Sequence, residues 1–396
     1  MSDVTVLVSG ASVAGPALAH WLCRAGAAVT VVEQAPGLRP GGQAVDARGV
    51  AKEVIARMGL DAAVRAACTD TSGAYIVDTD GTVLETHSAE DHDGDGYIAD
   101  IEILRGDLTR VLYDDTRETA KYIFGDRIAS LTQDAAGVDV TFAGGSSRRF
   151  DLVIGAEGLH SALRAMVFGP RERYVRGLGL MLAYYSVPNE FGLDRWMIDY
   201  PDGGRSAGLR PIQDATRAIA MFCFPASDVT VDHRDIAAQK RLVREGMAGF
   251  GWKTDQILAH LDDTPDFYLD EVSQVLMDRW SSGRVGLLGD AAYSASPMSG
   301  GGTGLALVGA YLLAGELAAS GWDPETGFAR YEQRMRDYVE ANQEIGRLHV
   351  NSLSGSQHGD EPDAEPDMAA LTGLIERAVG GPTLPEYDTL RPIVGS

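Results

Sequence analysis

Positive charge and cysteine are the scarce features of this sequence. Thirty-four lysines and arginines stand against 57 acidic residues, a formal net charge of −23 over 396 residues. That imbalance excludes a surface built for nucleic acid or for an anionic membrane. Cys23, Cys68 and Cys223 are odd in number and far apart, without zinc-ligand or disulfide spacing, which fits a reducing compartment. The eight histidines do not cluster, and no G-x-S-x-G marks a nucleophile elbow. No uninterrupted apolar run of 18 residues occurs, so no transmembrane helix is expected. The first strand sits at the N-terminus with no room for a leader, and a cytoplasmic location is expected. No internal repeat is visible. What is present is an apolar fraction of 45%, ample for a large core.

The first thirty residues set the plan. Val4–Val8 is a short β-branched run suited to a buried parallel strand, and it enters Ser9-Gly10-Ala11-Ser12-Val13-Ala14-Gly15. An amphipathic helix follows from about Pro16 to Gly26, then a second apolar strand from Ala28 that ends at Glu33. A dinucleotide needs this layout. Gly10 permits the sharp exit from the strand, Gly15 allows close packing, and the helix N-terminus receives a pyrophosphate. Glu33, 23 residues beyond Gly10, stands where a carboxylate accepts from ribose hydroxyls. Ser12 occupies the position of the second glycine, and the pattern alone does not separate FAD from a nicotinamide nucleotide.

Further along, helices are expected at Val50–Met58, Leu104–Arg117, His233–Phe250, Thr254–Leu261 and Leu305–Ala319, with one more near Met368–Val379 in a polar, acidic tail. Long alternating strands at 179–187, 195–200, 206–210 and 217–224 predict an antiparallel sheet in a separate lobe. The nucleotide-domain pattern then returns at Val285-Gly286-Leu287-Leu288-Gly289-Asp290. The expected fold is α/β: a Rossmann-like FAD-binding domain (1–70, 100–176 and 280–325) interrupted by a substrate domain with a mainly antiparallel sheet (71–99 and 177–279). C-terminal helices and the acidic tail occupy 326–396.

Two later stretches support the first. One is Asp151-Leu-Val-Ile-Gly155-Ala-Glu157-Gly158 through His160, Ser161 and Arg164. The other is Gly289-Asp290 through Pro297-Met-Ser-Gly300-Gly301-Gly302-Thr303-Gly304. With these three stretches in this order, the sequence resembles the group A FAD-dependent aromatic hydroxylases, the para-hydroxybenzoate hydroxylase-like flavoprotein monooxygenases. Within them it is most similar to the tetracycline-inactivating branch. The resemblance runs over about residues 1–320.

It implies tightly bound FAD, transient NADPH or NADH, and O₂ as co-substrate. One oxygen atom would pass from a flavin C4a-hydroperoxide to an aromatic or polycyclic small molecule, with no catalytic side chain identified. It implies FAD contacts for Gly10, Ser12, Gly15, Glu33, Asp46, Arg105, Glu157, Gly158, Asp290, Pro297, Gly300, Gly301 and Gly302. Arg39 and Arg164 are implied for the nicotinamide nucleotide, and Arg48 is a flavin neighbour by proximity. Gly301 and Gly304 depart from the family, where Gln and Asn are commoner. Glu157 also reads as a simple helix cap, Arg105 as a surface residue at a helix start, and His160 as structural.

Tyr184, Tyr185, Trp196, Met197, Met221 and Phe222 are candidates to line the substrate pocket, or ordinary core on alternating strands. Asp91-His-Asp93-Gly-Asp95-Gly96 with Glu102 fits the EF-hand calcium spacing. The strand-like flank at 82–86 contradicts it, so an acidic, solvated hairpin is expected and no metal. A reductase or other non-oxygenating flavoenzyme is the alternative. A halogenase is disfavoured because no tryptophan belongs to a W-x-W-x-I-P motif. Substrate identity and oligomeric state are not legible.

Overall fold

A computed structural model describes residues 4–39, 41–226, 232, 234–264, 266–355 and 368–390. The expected helix start at His233 and the acidic tail over 356–367 lie outside the described residues.

Two large sheets organise the chain. The first has six strands in the order Ser281–Ser282, Val285–Leu287, Leu152–Gly155, Thr5–Ser9, Ala28–Glu33, Lys121–Phe124, parallel except for Ser281–Ser282. The chain leaves Thr5–Ser9 for a neighbour on one side and later returns on the other, with Val6 paired to both Val29 and Leu152. That reversal opens a crevice at the carboxyl ends of these strands, where ligands of parallel sheets bind.

The central strands are apolar throughout because helices cover both faces. Ala14–Arg24 and Gly302–Ala319 pack together over the core. Gly302–Ala319 is long and apolar enough to cross a membrane, but nearly all of it is buried inside the protein. Its uniform apolarity reflects contacts on every side, with Ala14–Arg24, Val50–Met58 and the long helix Pro324–Gly355.

The second sheet has seven strands: Tyr268–Val275, Val175–Pro188, Arg217–Pro225, Arg205–Pro211, Trp196–Asp202, Gly73–Val77 and Val83–Ser88. All its pairs are antiparallel except Trp196–Asp202 with Gly73–Val77. One face, with Met181, Ala183, Tyr185, Ala207, Leu209, Ala220, Phe222 and Phe224, packs under Ile236–Gly246 and Thr254–Leu258 through Val243, Met247 and Ile257. On the other face Leu182, Cys223 and Tyr184 meet Met298 and Val350, so it turns toward the first sheet and its helices. A three-stranded meander, Ile128–Gln133, Val138–Phe142 and Ser147–Phe150, and a small ladder of Ala44–Asp46 with Glu102–Leu104 complete the sheets among the described residues.

Candidate active site

The first glycine turn is built by close approach. Gly10 has φ +110°, and a Cβ there would sit 2.4 Å from the carbonyl oxygen of Ala156. A Cβ on Gly15 would fall 1.9 Å from the carbonyl oxygen of Gly10, so only glycine admits this helix–strand contact. Ser12 is exposed at the entry to Ala14–Arg24. Glu33 Oε2 accepts from the Ala11 N–H at 2.9 Å, and Oε1 from the Ala35 N–H at 2.8 Å. Each oxygen keeps a second lone pair for a ribose hydroxyl. The carboxylate therefore rigidifies the turn it serves.

Asp290 opens the short helix Asp290–Tyr293 after Gly289, which has φ +64°. Its side chain reaches solvent in a cleft enclosed by protein. That enclosure raises its carboxyl above the usual range, while Arg105 opposes the shift. Arg105 begins the helix Arg105–Thr116 and lies against Gly42, whose loop is pinned where Gly106 N–H donates to the Gly41 carbonyl at 2.8 Å. Pro297 is exposed in a single 3₁₀ turn ending at Gly300, φ +65°. A Cβ on Gly302, the first residue of its helix, would meet nothing within 4 Å, and the same is true of Gly158. Open space thus lies beside Gly158 and beside the unsatisfied N–H groups of an 18-residue helix, while Gly289, next to Asp290, lies against Ala14 and Ala306 of the two helices. A flavin dinucleotide fits these residues.

The departures at Gly301 and Gly304 have a local cause. A Cβ at Gly301 would lie 1.8 Å from Asn342 Oδ1, and one at Gly304 would lie 2.6 Å from the Tyr338 hydroxyl. Side chains from Pro324–Gly355 occupy the room that larger residues would need.

The second stretch is more structural than expected. Glu157 accepts from Ser9 Oγ at 2.6 Å, Ser161 Oγ at 2.7 Å and the Leu163 N–H at 2.8 Å. It ties two strand ends together and caps Ala162–Phe168, the plainer of its two readings. Arg164 corrects an expectation. Its guanidinium is buried, donating to the carbonyls of Leu159 at 2.6 Å and Ala291 at 2.9 Å, and burial with nearby Arg171 lowers its pKa to about 10. It remains charged at neutral pH, but a passing nucleotide has no access to it. His160 joins Asp270 Oδ2 at 2.8 Å and accepts at Nδ1 from Arg171 at 2.7 Å. By contrast, Arg39 is exposed and lines an open cavity of about 830 Å³ with Gln34, Asp126 and Arg127, just beyond Glu33.

On the seven-stranded sheet, strand parity sorts the pocket candidates. Tyr184, Met197 and Met221 lie on the face turned toward the nucleotide domain. Trp196 stacks on Tyr75 at 4.5 Å on the opposite side, and Phe222 and Tyr185 sit in the core under the helices. Trp196 and Phe222 are therefore removed from the pocket.

Three polar residues overlooked in the sequence, Asp199, Arg210 and Tyr97, share the inner face or border it, together with Glu102, which the sequence offered only as a calcium ligand. The Tyr97 hydroxyl donates to Asp199 Oδ2 at 3.3 Å, and enclosure pushes the Asp199 carboxyl up to about 6. Arg210 forms an ion pair with Glu102, which also accepts from Thr69 Oγ1 at 2.6 Å and Thr71 Oγ1 at 2.7 Å. Burial lowers the Arg210 pKa, with Asp46 opposing. Asp46 itself pairs with Arg48 at 3.0 Å, and Arg48 Nη2 donates to the carbonyls of Gly96 and Tyr97. A charged residue flanked by apolar neighbours within a strand, Ile198 and Tyr200 around Asp199 and Leu209 and Pro211 around Arg210, is the signal that marks them.

The acidic segment is solvent-exposed at Asp91, His92 and Asp93, as expected of a solvated hairpin, and packs through Ile98 and Ala99. Asp91–Gly94 forms one 3₁₀ turn and Glu102 starts a strand, so calcium-loop helices do not flank it. Asp95 and Asp100 both hold Lys52 at 2.8 Å, and Ile98 and Ile101 are buried. The carboxylates secure a wall that carries Tyr97.

Residues 3–344 match a family model described as an FAD binding domain. This fold and cleft define a flavin-binding oxidoreductase. A flavin-dependent monooxygenase of Legionella longbeachae serogroup 1 (strain NSW150) is 35% identical over 389 residues, covering 98% of this chain and 99% of the relative. An uncharacterized protein of Mycobacterium tuberculosis (strain ATCC 25618 / H37Rv), Rv1260, is 48% identical over 341 residues, 86% of this chain and 91% of that one. The crystal structure of tetracycline destructase Tet(55) superposes with a TM-score of 0.84 at 38% identity, covering 97% of this chain and 99% of that chain. The chain belongs to the FAD-dependent monooxygenases of this family.

Proposed function

We propose that this monooxygenase takes electrons from NADPH or NADH and inserts one atom of O₂ into an aromatic or polycyclic small molecule. The convergence of the Gly10–Gly15 turn, Asp290 with Arg105, and the Gly302 helix end on one cleft beside the inner sheet face carries this reading. Bound FAD supplies the electron storage and oxygen activation. The protein supplies position, charge and exclusion of water.

Glu33 holds the adenosine ribose, Arg105 neutralises the pyrophosphate, and Asp290 accepts from the ribityl chain. The N–H groups at Gly302 stabilise negative charge on the reduced ring. Asp46, Pro297, Gly300 and Gly301 border that ring, and Glu157 with Gly158 shapes the turn beside it. Arg39, beside the open cavity beyond Glu33, receives the nicotinamide nucleotide's phosphate. Tyr184, Met197 and Met221 contact the substrate. The likeness to tetracycline destructase Tet(55) favours a polycyclic substrate over a single ring.

The test is spectroscopic. The purified protein should carry one FAD, oxidise NADPH faster with substrate present, and label the product from ¹⁸O₂. Asp290→Ala should lose FAD by dialysis that leaves the parent loaded. A colourless parent that refuses added FAD would overturn the assignment, and full retention in Asp290→Ala would remove Asp290 from the FAD contacts.

A further inference from the structure

The inner face of the seven-stranded sheet presents one cross-strand row. The register runs from Asp199 to Gly208, from Gly208 to Met221, from Met221 to Tyr184 and from Tyr184 to Tyr268. Gly208 is the low point of that row. A Cβ there would lie 2.9 Å from Met221 Cε and 3.2 Å from Asp199 Oδ1, so both side chains lean across the glycine. Asp199 is thereby held over Gly208 on the inner sheet face, with Tyr97 on its Oδ2.

The charges around it are accounted for pair by pair. Arg210 is paired with Glu102, and Arg48 with Asp46. Asp46 and Arg48 both act on Arg210, so these four groups form one contiguous set. Arg105 acts on Asp290 in the flavin cleft and also on Tyr268, at the far end of the row. Two guanidiniums against Asp46, Glu102 and Asp199 leave one excess negative charge, and Asp199 is the carboxylate among them without a cationic partner among the described residues. Its neighbours on the row are a glycine, a thioether and two phenols.

We infer that Asp199 selects the substrate by charge: the molecule oxygenated here carries a protonated amine that Asp199 binds, and aromatic carboxylates are rejected. The inference rests on the flavin-cleft reading above. With Arg105 committed to FAD in the reading above, an anionic substrate would meet the excess negative charge with no uncommitted guanidinium among the described residues of this face. Breaking either ion pair to release one would leave a buried charge uncompensated. A cation in contact with a carboxylate in a cleft of reduced dielectric gains the opposite preference.

Three 2-naphthol congeners matched in size test this at pH 8 on the FAD-loaded enzyme: 6-aminomethyl, 6-methyl and 6-carboxylate. Dissociation constants are read from the perturbation of flavin absorbance, and KM from stimulated NADPH oxidation. The amine should bind at least about tenfold tighter than the methyl compound, and the carboxylate at least about tenfold more weakly. In Asp199→Asn the amine-to-methyl ratio should fall to within about twofold of one, while Asp194→Asn, at an exposed site, keeps the parent ratio. Tightest binding of the carboxylate, no response to any congener, or an unchanged ratio in Asp199→Asn would overturn the inference. A protein that holds FAD yet shows the wrong order fails this inference alone. A protein that refuses FAD fails the functional reading beneath it.

Discussion

At the scale of single residues, the active site keeps costly groups where cheaper ones would fold better. Asp199 is held in a cleft that disfavours its ionised form, its carboxyl raised from 3.8 to about 6. The folded chain therefore binds more protons at this site than the unfolded chain between those values. Stability contributed by Asp199 is lost as pH rises from about 4 to about 6, and the penalty is complete above that. The unscreened shift corresponds to about 3 kcal/mol, and contact with solvent in the cleft reduces this to about 1 kcal/mol. Asp199→Asn removes it. Thermal melts should show the variant about 1–2 °C more stable at pH 8, with the gain shrinking toward pH 4. A variant less stable than its parent at pH 8 would show that the carboxylate is structurally satisfied. Substrate binding lost in a protein made more stable is the signature of a residue kept for function.

At the scale of elements, the glycine turns were legible because close approach leaves a residue-type signature. Gly10 and Gly15 are glycines for want of about an atom's width, and sequence alone reports that. The pocket was not legible in the same way. Arg217–Pro225 is apolar on both faces, one against helices and one toward the first sheet and its helices, so alternation carries no signal of which is which. Adjacent residues such as Met221 and Phe222 then both invite a pocket role, although strand geometry allows only one of them to face inward. Glu102 was hidden for a different reason: its role depends on Arg210, 108 positions later, and no local pattern encodes that pair.

The replacement of commoner family residues at Gly301 and Gly304 also becomes intelligible only across elements, since Asn342 and Tyr338 fill the space. Gly301→Gln should therefore destabilise the enzyme by about 1–3 kcal/mol through overpacking. Adding Asn342→Ala should recover part of that loss, less the hydrogen bonds Asn342 donates to the Tyr338 and Ala378 carbonyls. Denaturant unfolding of the single and double variants measures the coupling. Strict additivity would mean that the two residues do not compete for one space.

For the whole molecule, the cofactor cleft is a meeting place of segments with little sequence proximity. The turn at Gly10, the strand end at Glu33, the start of the helix at Arg105, the turn at Asp290 and the helix end at Gly302 reach it from separate parts of the chain. None of these partial contacts exists as a site in the unfolded chain, so FAD binds the native state alone and its binding free energy adds to stability. At free FAD about a hundredfold above its dissociation constant, the gain is about 2.7 kcal/mol. For a chain of 396 residues, an unfolding entropy of about 2 cal/mol/K per residue converts this to a rise in Tm of about 3 °C.

Scanning calorimetry of the apoprotein against increasing FAD should show that rise growing with the logarithm of FAD concentration. Asp290→Ala should need proportionally more FAD for the same shift, since the loss lies in affinity rather than in the packing of Gly302–Ala319. A Tm independent of FAD in the parent protein would mean that the cleft does not bind the nucleotide in the folded state. Equal responses in parent and variant would leave FAD bound but remove Asp290 from its contacts.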